Sequence, residues 1–219
     1  MIIVLVGKTA SGKTTVANEL CKHHGYKRII TYTTRPMRKN EEQDVDYHFI
    51  SDEQFNKMVK NNEFTEYKRY NTAHGVWSYG SVVTSEQELS DDCYVIILTP
   101  QGLRDLSKKM SRYIAFYLNV SFKSQLERLK KRGDEEQQII KRLKNDDKDF
   151  ENVLDIVDYS FCTDISSPQR VANIISIFIS APITDGLMER HFNLLRAYDC
   201  DNISKQKLIE FFNKRKGNS

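Results

Sequence analysis

The first pattern along the chain is a set of short apolar runs, rich in β-branched and aromatic residues. Runs of this length and composition are typical of strands that are buried on both faces. The last of the five runs is weaker than the others. The predicted strands are residues 2–6, 27–33, 94–99, 113–120 and 158–163.

Longer segments that follow these runs are predicted to be helical. Residues 14–24 form the first helix, and Pro100 suits the first turn of another. Residues 122–154 are helical and dense in charge, with an interruption at Gly133, and a last helix extends to about residue 180. Because strands and helices alternate, we predict an α/β domain with a five-stranded parallel sheet flanked by helices.

The stretch between the second and third strands breaks this alternation. Residues 35–46 are polar and charged, which predicts a loop. Ser51 suits the N-cap of a short helix, with Gln54 as its capping-box partner. Residues 64–70 and 76–82 alternate in polarity and are rich in aromatic residues, which indicates antiparallel strands. We therefore predict a mixed-β insertion carried on the α/β core.

Composition narrows the class of protein. The chain has 219 residues, of which 39% are hydrophobic and 29% charged, with a net charge of +3. We expect a globular, cytoplasmic protein, because no signal-peptide pattern and no apolar run of about 20 residues is present. The small net charge gives no indication of a nucleic-acid or membrane partner. The four cysteines form no CxxC pair, so we expect reduced thiols and no zinc site.

The most specific motif is GKTASGKT at residues 7–14, which matches the pattern of a phosphate-binding loop. It follows a predicted buried strand and opens a helix, where backbone N–H groups and the helix dipole favour phosphate oxygens. Lys13 would contact the terminal phosphates, and the hydroxyl of Thr14 would bind Mg²⁺. A plain glycine turn is the structural alternative. We predict that the loop binds Mg²⁺–ATP through Gly7, Ala10, Ser11, Gly12, Lys13, Thr14 and Thr15.

The segment TYTTRPMRKNEEQDVDYHFIS, residues 31–51, resembles the nucleotide-acceptor segment of guanylate kinases. EFTEY and YGS resemble further parts of that acceptor site, and KKRGDEEQQIIKRL resembles the family's lid, although it is one residue short between its arginines. The similarity extends over about residues 2–179. It implies a P-loop NTPase fold and an enzyme that transfers a phosphoryl group from ATP to GMP, which yields GDP. The acceptor residues that it implies are Thr31, Arg35, Arg38, Glu41, Tyr47, Glu66, Tyr79, Ser81 and Thr99.

The resemblance also implies a role for each group of these residues. Arg35, Arg38 and the tyrosine hydroxyls would hold the acceptor's phosphate, since a guanidinium binds two phosphate oxygens at once. Glu66 would accept hydrogen bonds from the guanine N1 and N2 edge. Arg132 and Arg142, on a closing lid, would join Lys13 as catalytic residues that neutralise charge on the transferred phosphoryl group.

Two positions depart from the family pattern. Ile97 and Thr99 stand where guanylate kinases usually carry aspartates, one of which helps to hold Mg²⁺ while the other contacts the guanine amino group. Loss of these acids affects the expected placement of Mg²⁺ and the expected choice of base. Surface roles are the alternatives for Glu66 and for the arginines.

The resemblance predicts a domain over residues 1–180. Its core would be residues 1–32 and 86–180, its acceptor-binding insertion residues 33–85, and its helical lid about residues 122–154. Residues 181–219 are predicted to form a helical hairpin that extends past the usual domain end, and their loop lacks the ligand pattern of a calcium site. We expect a monomer or a homodimer.

Three functions remain open at this stage. The first is an ATP-dependent guanylate kinase, with ATP and GMP (or dGMP) as small-molecule partners. The second is a related P-loop kinase with another phosphorylated acceptor, which the departures at Ile97 and Thr99 motivate. The third is a non-catalytic guanylate-kinase-like binding module, against which the intact Gly12-Lys13-Thr14 argues.

Overall fold

A computed structural model describes residues 1–39, 41–72, 75–133 and 136–180. Its larger sheet has five parallel strands in the order β2-β7-β1-β8-β9, as the sequence predicts. The strands are β1 (Ile2–Gly7), β2 (Lys27–Arg28), β7 (Tyr94–Ile97), β8 (Tyr113–Asn119) and β9 (Tyr159–Cys162).

Seven helices are present in the described part of the chain. They are α1 (Lys13–His24), α2 (Asp52–Lys60), α3 (Ser85–Leu89), α4 (Pro100–Ser107), α5 (Phe122–Lys131), α6 (Glu136–Asp149) and α7 (Pro168–Ser180). A short 3₁₀ turn, Val153–Asp155, follows α6. Among these described helices, none has the length and apolar character that crossing a bilayer requires.

The central strand β1 is buried on both faces, and its side chains alternate between two cores. Ile3 and Leu5 pack in a cluster with residues of α1 and α7. Ile2, Val4 and Val6 pack on the opposite face with residues of α4. This two-sided burial explains why the strand is a continuous apolar run rather than an alternating one.

A second, mixed sheet is formed between β2 and β7 along the chain. Its order is β4-β3-β6-β5, with β3 (Tyr32–Thr33) parallel to β4 (His48–Phe49) and antiparallel to β6 (Gly75–Ser81). Strand β5 (Glu66–Thr72) pairs antiparallel with β6 over its full length. The prediction of one strand over residues 27–33 is wrong, because the chain leaves the large sheet after Arg28 and joins the second sheet at Tyr32.

Local signals account for most helix boundaries. The predicted capping box of α2 is present, since the Ser51 hydroxyl accepts from the Gln54 N–H and the Gln54 side chain accepts from the Ser51 N–H. Helix α3 is absent from the sequence prediction, although Thr84 and Gln87 form the same capping box. The predicted interruption at Gly133 separates α5 from α6. The predicted C-terminal hairpin lies outside the described residues.

Candidate active site

A cavity of about 1280 Å³ lies at the carboxyl end of the large sheet, where parallel α/β sheets bind ligands. The phosphate loop, the second sheet and helix α6 contribute to its walls. All seven loop residues that the sequence analysis selects line this cavity, as do most of the selected acceptor and lid residues. The acceptor and lid residues that line the cavity are Thr31, Arg38, Tyr47, Glu66, Tyr79, Thr99, Arg132 and Arg142.

The phosphate loop connects β1 to α1 and turns through left-handed backbone at two residues. Ala10 has φ of 60° and Gly12 has φ of 91°, a conformation that glycine adopts without strain. Gly12 directly precedes α1, whose first N–H groups have no partner within the helix and face the loop. The loop therefore presents a concave set of amide donors of the kind that binds phosphate.

The ammonium group of Lys13 lies beneath this loop. Its Nζ donates to the Gly7 carbonyl at 2.6 Å and to the Lys8 carbonyl at 2.8 Å. Removal of the amine from water lowers the pKa of Lys13 to about 8, against the raising effect of the Asp146 carboxylate. The loop therefore holds a cation that is partly stripped of water and close to the cavity.

The two arginines of the acceptor segment occupy different environments. The side chain of Arg35 is 3% exposed and forms a bidentate ion pair with Glu41, at 2.7 and 2.9 Å. Its guanidinium also lies 5.3 Å from the Tyr47 ring centroid. The side chain of Arg38 is 59% exposed and lines the cavity. Arg35 and Glu41 thus brace the acceptor segment, whereas Arg38, whose Nη1 lies 3.7 Å from Glu41 Oε1, stays exposed at the edge of this pair and lines the cavity.

Glu66 lies opposite Ser81 in the β5–β6 register and hydrogen-bonds it. The Ser81 side chain is fully buried, and its hydroxyl lies 3.3 Å from that of Thr31. A Cβ atom on Gly102 would lie 3.0 Å from the Glu66 carboxylate, so any larger residue there would require the carboxylate to shift. Burial raises the pKa of Glu66 to about 7, and the nearby Asp105 adds to the increase.

The two departures from the family pattern, Ile97 and Thr99, line the same cavity as Glu66. Ile97 ends β7 and presents an apolar side chain. The Thr99 hydroxyl accepts from the Gly102 N–H at 3.1 Å and caps α4, a role that the sequence analysis did not assign to it. Thr99 therefore orients the helix that contacts Glu66, in addition to facing the cavity.

The lid region supplies contacts that the sequence analysis missed. Asp146, on α6, accepts from the Thr9 N–H and from the Gln125 side chain, both at 2.7 Å. Arg128, on α5, donates to the Ala10 carbonyl at 3.1 Å and to the Thr163 carbonyl at 2.6 Å. About half of the residues in this segment are charged. The sequence therefore does not distinguish Asp146 and Arg128 from neighbours that face solvent.

The phosphate loop on a parallel sheet, with a basic and hydroxyl-rich cavity beside it, defines a P-loop protein of the nucleotide kinase class. Comparison with known proteins narrows this class. The family model described as guanylate kinase matches residues 1–164, and the chain belongs to the guanylate kinase family.

Curated relatives and a solved structure agree with this assignment. The guanylate kinase of Tropheryma whipplei (strain Twist) is 31% identical over 158 residues, which cover 70% of this chain and 80% of the relative. That of Thermotoga maritima is 33% identical over 147 residues, which cover 66% and 70%. The crystal structure of guanylate kinase from Anaplasma phagocytophilum has the same fold, with a TM-score of 0.59, 22% identity and coverage of 82% and 84%.

Proposed function

We propose that this protein transfers the γ-phosphoryl group of ATP to GMP, or to dGMP, and releases ADP and GDP (or dGDP). The observation that carries the proposal is that one cavity is lined both by the phosphate loop and by Arg38, Tyr47 and Glu66. An oxygen of the acceptor's phosphate attacks the γ-phosphorus, the bond to the bridging oxygen breaks, and ADP leaves. Positioning and charge neutralisation carry most of such a reaction.

The donor end of the cavity would bind ATP. The amides of the loop and of the first turn of α1 suit the β- and γ-phosphates. Lys13 and the lid arginines Arg132 and Arg142, which also line the cavity, would neutralise charge on the transferred group. The three cations would therefore act most strongly in the transition state, where that charge is redistributed.

Mg²⁺ would bind at the same end. The hydroxyl of Thr14 lines the cavity and is a hard oxygen ligand of the kind that Mg²⁺ accepts. The side chain of Ile97 offers no oxygen, so phosphate oxygens and water would complete the coordination. Mg²⁺ held there by Thr14 would supply positive charge that offsets the charge of the terminal phosphates.

The acceptor end would bind the nucleoside monophosphate. Arg38 and the hydroxyls of Tyr47 and Tyr79 would hold its phosphate, while Arg35, paired with Glu41, would keep the acceptor segment in place. Glu66 would accept from N1–H and N2–H of guanine, with its carboxylate held by Ser81. The hydroxyl pair of half-buried Thr31 and buried Ser81 supports the proposal, because Ser81 bonds the acid and Thr31 in turn contacts Ser81.

A coupled assay of ADP release tests this function. Mg²⁺–ATP is supplied with GMP, dGMP, AMP, CMP or UMP in turn, and kcat/KM is measured for each. We expect GMP and dGMP to be the best substrates. A higher kcat/KM for AMP or for a pyrimidine nucleotide would contradict the assignment of the acceptor.

The two acceptor arginines should give different results. Arg38→Ala is expected to raise the KM for GMP about tenfold, with an unchanged KM for ATP, because it removes a charged hydrogen bond to the acceptor alone. Arg35→Ala should instead lower the melting temperature by about 5 °C or more, because it removes a buried guanidinium and the bidentate ion pair that this group forms with Glu41. Steady-state kinetics and thermal melting separate the two effects. An equal rise in both KM values for Arg38→Ala would rule out the assignment.

The titration of Glu66 should make base choice depend on pH. Below its pKa of about 7 the protonated acid can donate to N1 of adenine, and above it the carboxylate accepts both donors of guanine. The ratio of kcat/KM for GMP over AMP should therefore rise about 5- to 10-fold between pH 6 and 8. Ionisation of Lys13 and of the substrate phosphates affects both nucleotides alike and cancels in the ratio. The Glu66→Gln variant should give a flat ratio, and a flat ratio in the parent would exclude this role.

A further inference from the structure

Helix α6 is tied to the phosphate loop by one of its carboxylates. Asp146 Oδ2 accepts from the Thr9 N–H at 2.7 Å and from Gln125 Nε2 at 2.7 Å, and Oδ1 lies 3.4 Å from the Thr9 hydroxyl. These contacts join three segments: the phosphate loop, α5 and α6. Neighbouring Asp147 reaches the same loop through Lys8, but its side chain is 73% exposed and makes a surface ion pair.

The face of α6 that meets the loop is defined by the spacing of its residues. Ile139 and Leu143 are buried in the apolar cluster of the lid, and Ala10 of the phosphate loop packs against this cluster. Asp146 follows these residues by seven and three positions, and Arg142 follows Ile139 by three. Residues at such spacings share one face of a helix. Arg142 and Asp146 both line the cavity, one turn apart.

The contact of Asp146 therefore constrains the place of Arg142. The apolar cluster holds α6 near the loop, but hydrophobic attraction between Ile139, Leu143 and their neighbours is not directional. A charge-assisted hydrogen bond at a fixed amide is directional, so it selects one rotation and one axial position of α6. In that position Arg142, one turn before Asp146, lines the cavity that the phosphate loop also lines.

We propose that Asp146 is a positioning residue, which docks α6 on the Thr9 amide and thereby places Arg142 for phosphoryl transfer. This inference rests on the proposed role of Arg142 as a cation at the transferred phosphoryl group. Arg142 is the group that touches the reacting atoms, and Asp146 acts through it. Misplacement of such a cation lowers the rate of the chemical step more than it weakens binding of the acceptor.

The first test compares three single variants of the full chain. Asp146→Ala is expected to lower kcat about tenfold, with the KM for GMP within twofold of the parent. Asp146→Asn should keep at least about half of the parent's kcat, because its amide oxygen can accept from Thr9 and its amide nitrogen can face the Thr9 hydroxyl. Asp147→Ala, the matched control on the same turn, should keep kcat within twofold. Thermal melting shows that each variant is folded.

The second test places Asp146→Ala in an Arg142→Ala background. If Asp146 acts through Arg142, the second substitution should change kcat less than twofold in that background. If Asp146→Ala still lowers kcat tenfold in the Arg142→Ala background, the inference about Asp146 is overturned. The proposed role of Arg142 would stand, because Arg142→Ala by itself would still have a lower kcat than the parent. Parental kcat in Arg142→Ala would remove the proposed role of Arg142, and the inference with it. Two results of the first test would also contradict the proposal. A higher kcat in Asp146→Ala than in the parent would show that the carboxylate is inhibitory. A loss of kcat in Asp146→Asn equal to that in Asp146→Ala would show that the charge of Asp146 matters and its hydrogen bond to Thr9 does not.

Discussion

Lys13→Ala is expected to lower kcat by at least about 10²-fold, the scale that removal of one major transition-state contact produces. Lys13 is the cation that the phosphate loop holds beneath its own backbone, bonded to the carbonyls of Gly7 and Lys8. A neutral methyl group at this place leaves the charge on the transferred phosphoryl group without its nearest protein cation. The overall fold should be nearly unaffected, because the packing of α1 on the sheet through Val16, Ala17 and Leu20 does not depend on the ammonium group.

Single-turnover kinetics with Mg²⁺–ATP and GMP measure this effect without interference from product release. Lys22→Ala is the matched control, since Lys22 lies on the same helix, is exposed to solvent and is far along the helix from the loop. It should retain the parent's rate. A Lys13→Ala rate within a few-fold of the parent, in a protein with an unchanged melting temperature, would remove Lys13 from catalysis.

Glu66→Gln is expected to lower kcat/KM for GMP about 10- to 100-fold, which corresponds to the loss of a hydrogen bond to a charged group. The substitution conserves shape, but it replaces one carboxylate oxygen with an amide that donates. Guanine presents two donors at N1 and N2, and one of them would then face another donor. AMP should be affected little or should improve, because the amide can donate to N1 of adenine.

The control for this variant is Glu53→Gln, an exposed position in the first turn of α2. It should leave the preference for GMP unchanged. Equal losses of kcat/KM for GMP and AMP in Glu66→Gln would indicate a general structural defect. An unchanged ratio of the two would show that another group reads the base.

Much of the fold follows from local sequence because its signals are local. The apolar run of β1, the capping box at Ser51 and the interruption at Gly133 each identify an element without knowledge of the rest of the chain. Pairing partners are not local properties. Residues 27–33 have the composition of one strand, yet Arg28 pairs with Val95 and Thr33 with Tyr79 in a different sheet.

The candidate site also combines features that local sequence predicts with contacts that it does not predict. The phosphate loop is a contiguous motif, so its residues and their neighbourhood can be predicted together. The partnership of Arg35 with Glu41 cannot, because an arginine in a polar loop has the same pattern whether it is buried or exposed. The role of Asp146 cannot be predicted for a related reason. Its contact with Thr9 spans 137 positions of sequence, and no local pattern in α6 distinguishes it from the neighbouring acids.

The most direct test of the account follows the phosphoryl group itself. ATP labelled in its γ-phosphate is incubated with the full chain, Mg²⁺ and GMP, and the products are separated by anion-exchange chromatography. The account predicts that the label appears in GDP in a one-to-one ratio with ADP, and that omission of GMP stops ADP formation. Label recovered as free phosphate, or ADP formed at the same rate without GMP, would contradict it.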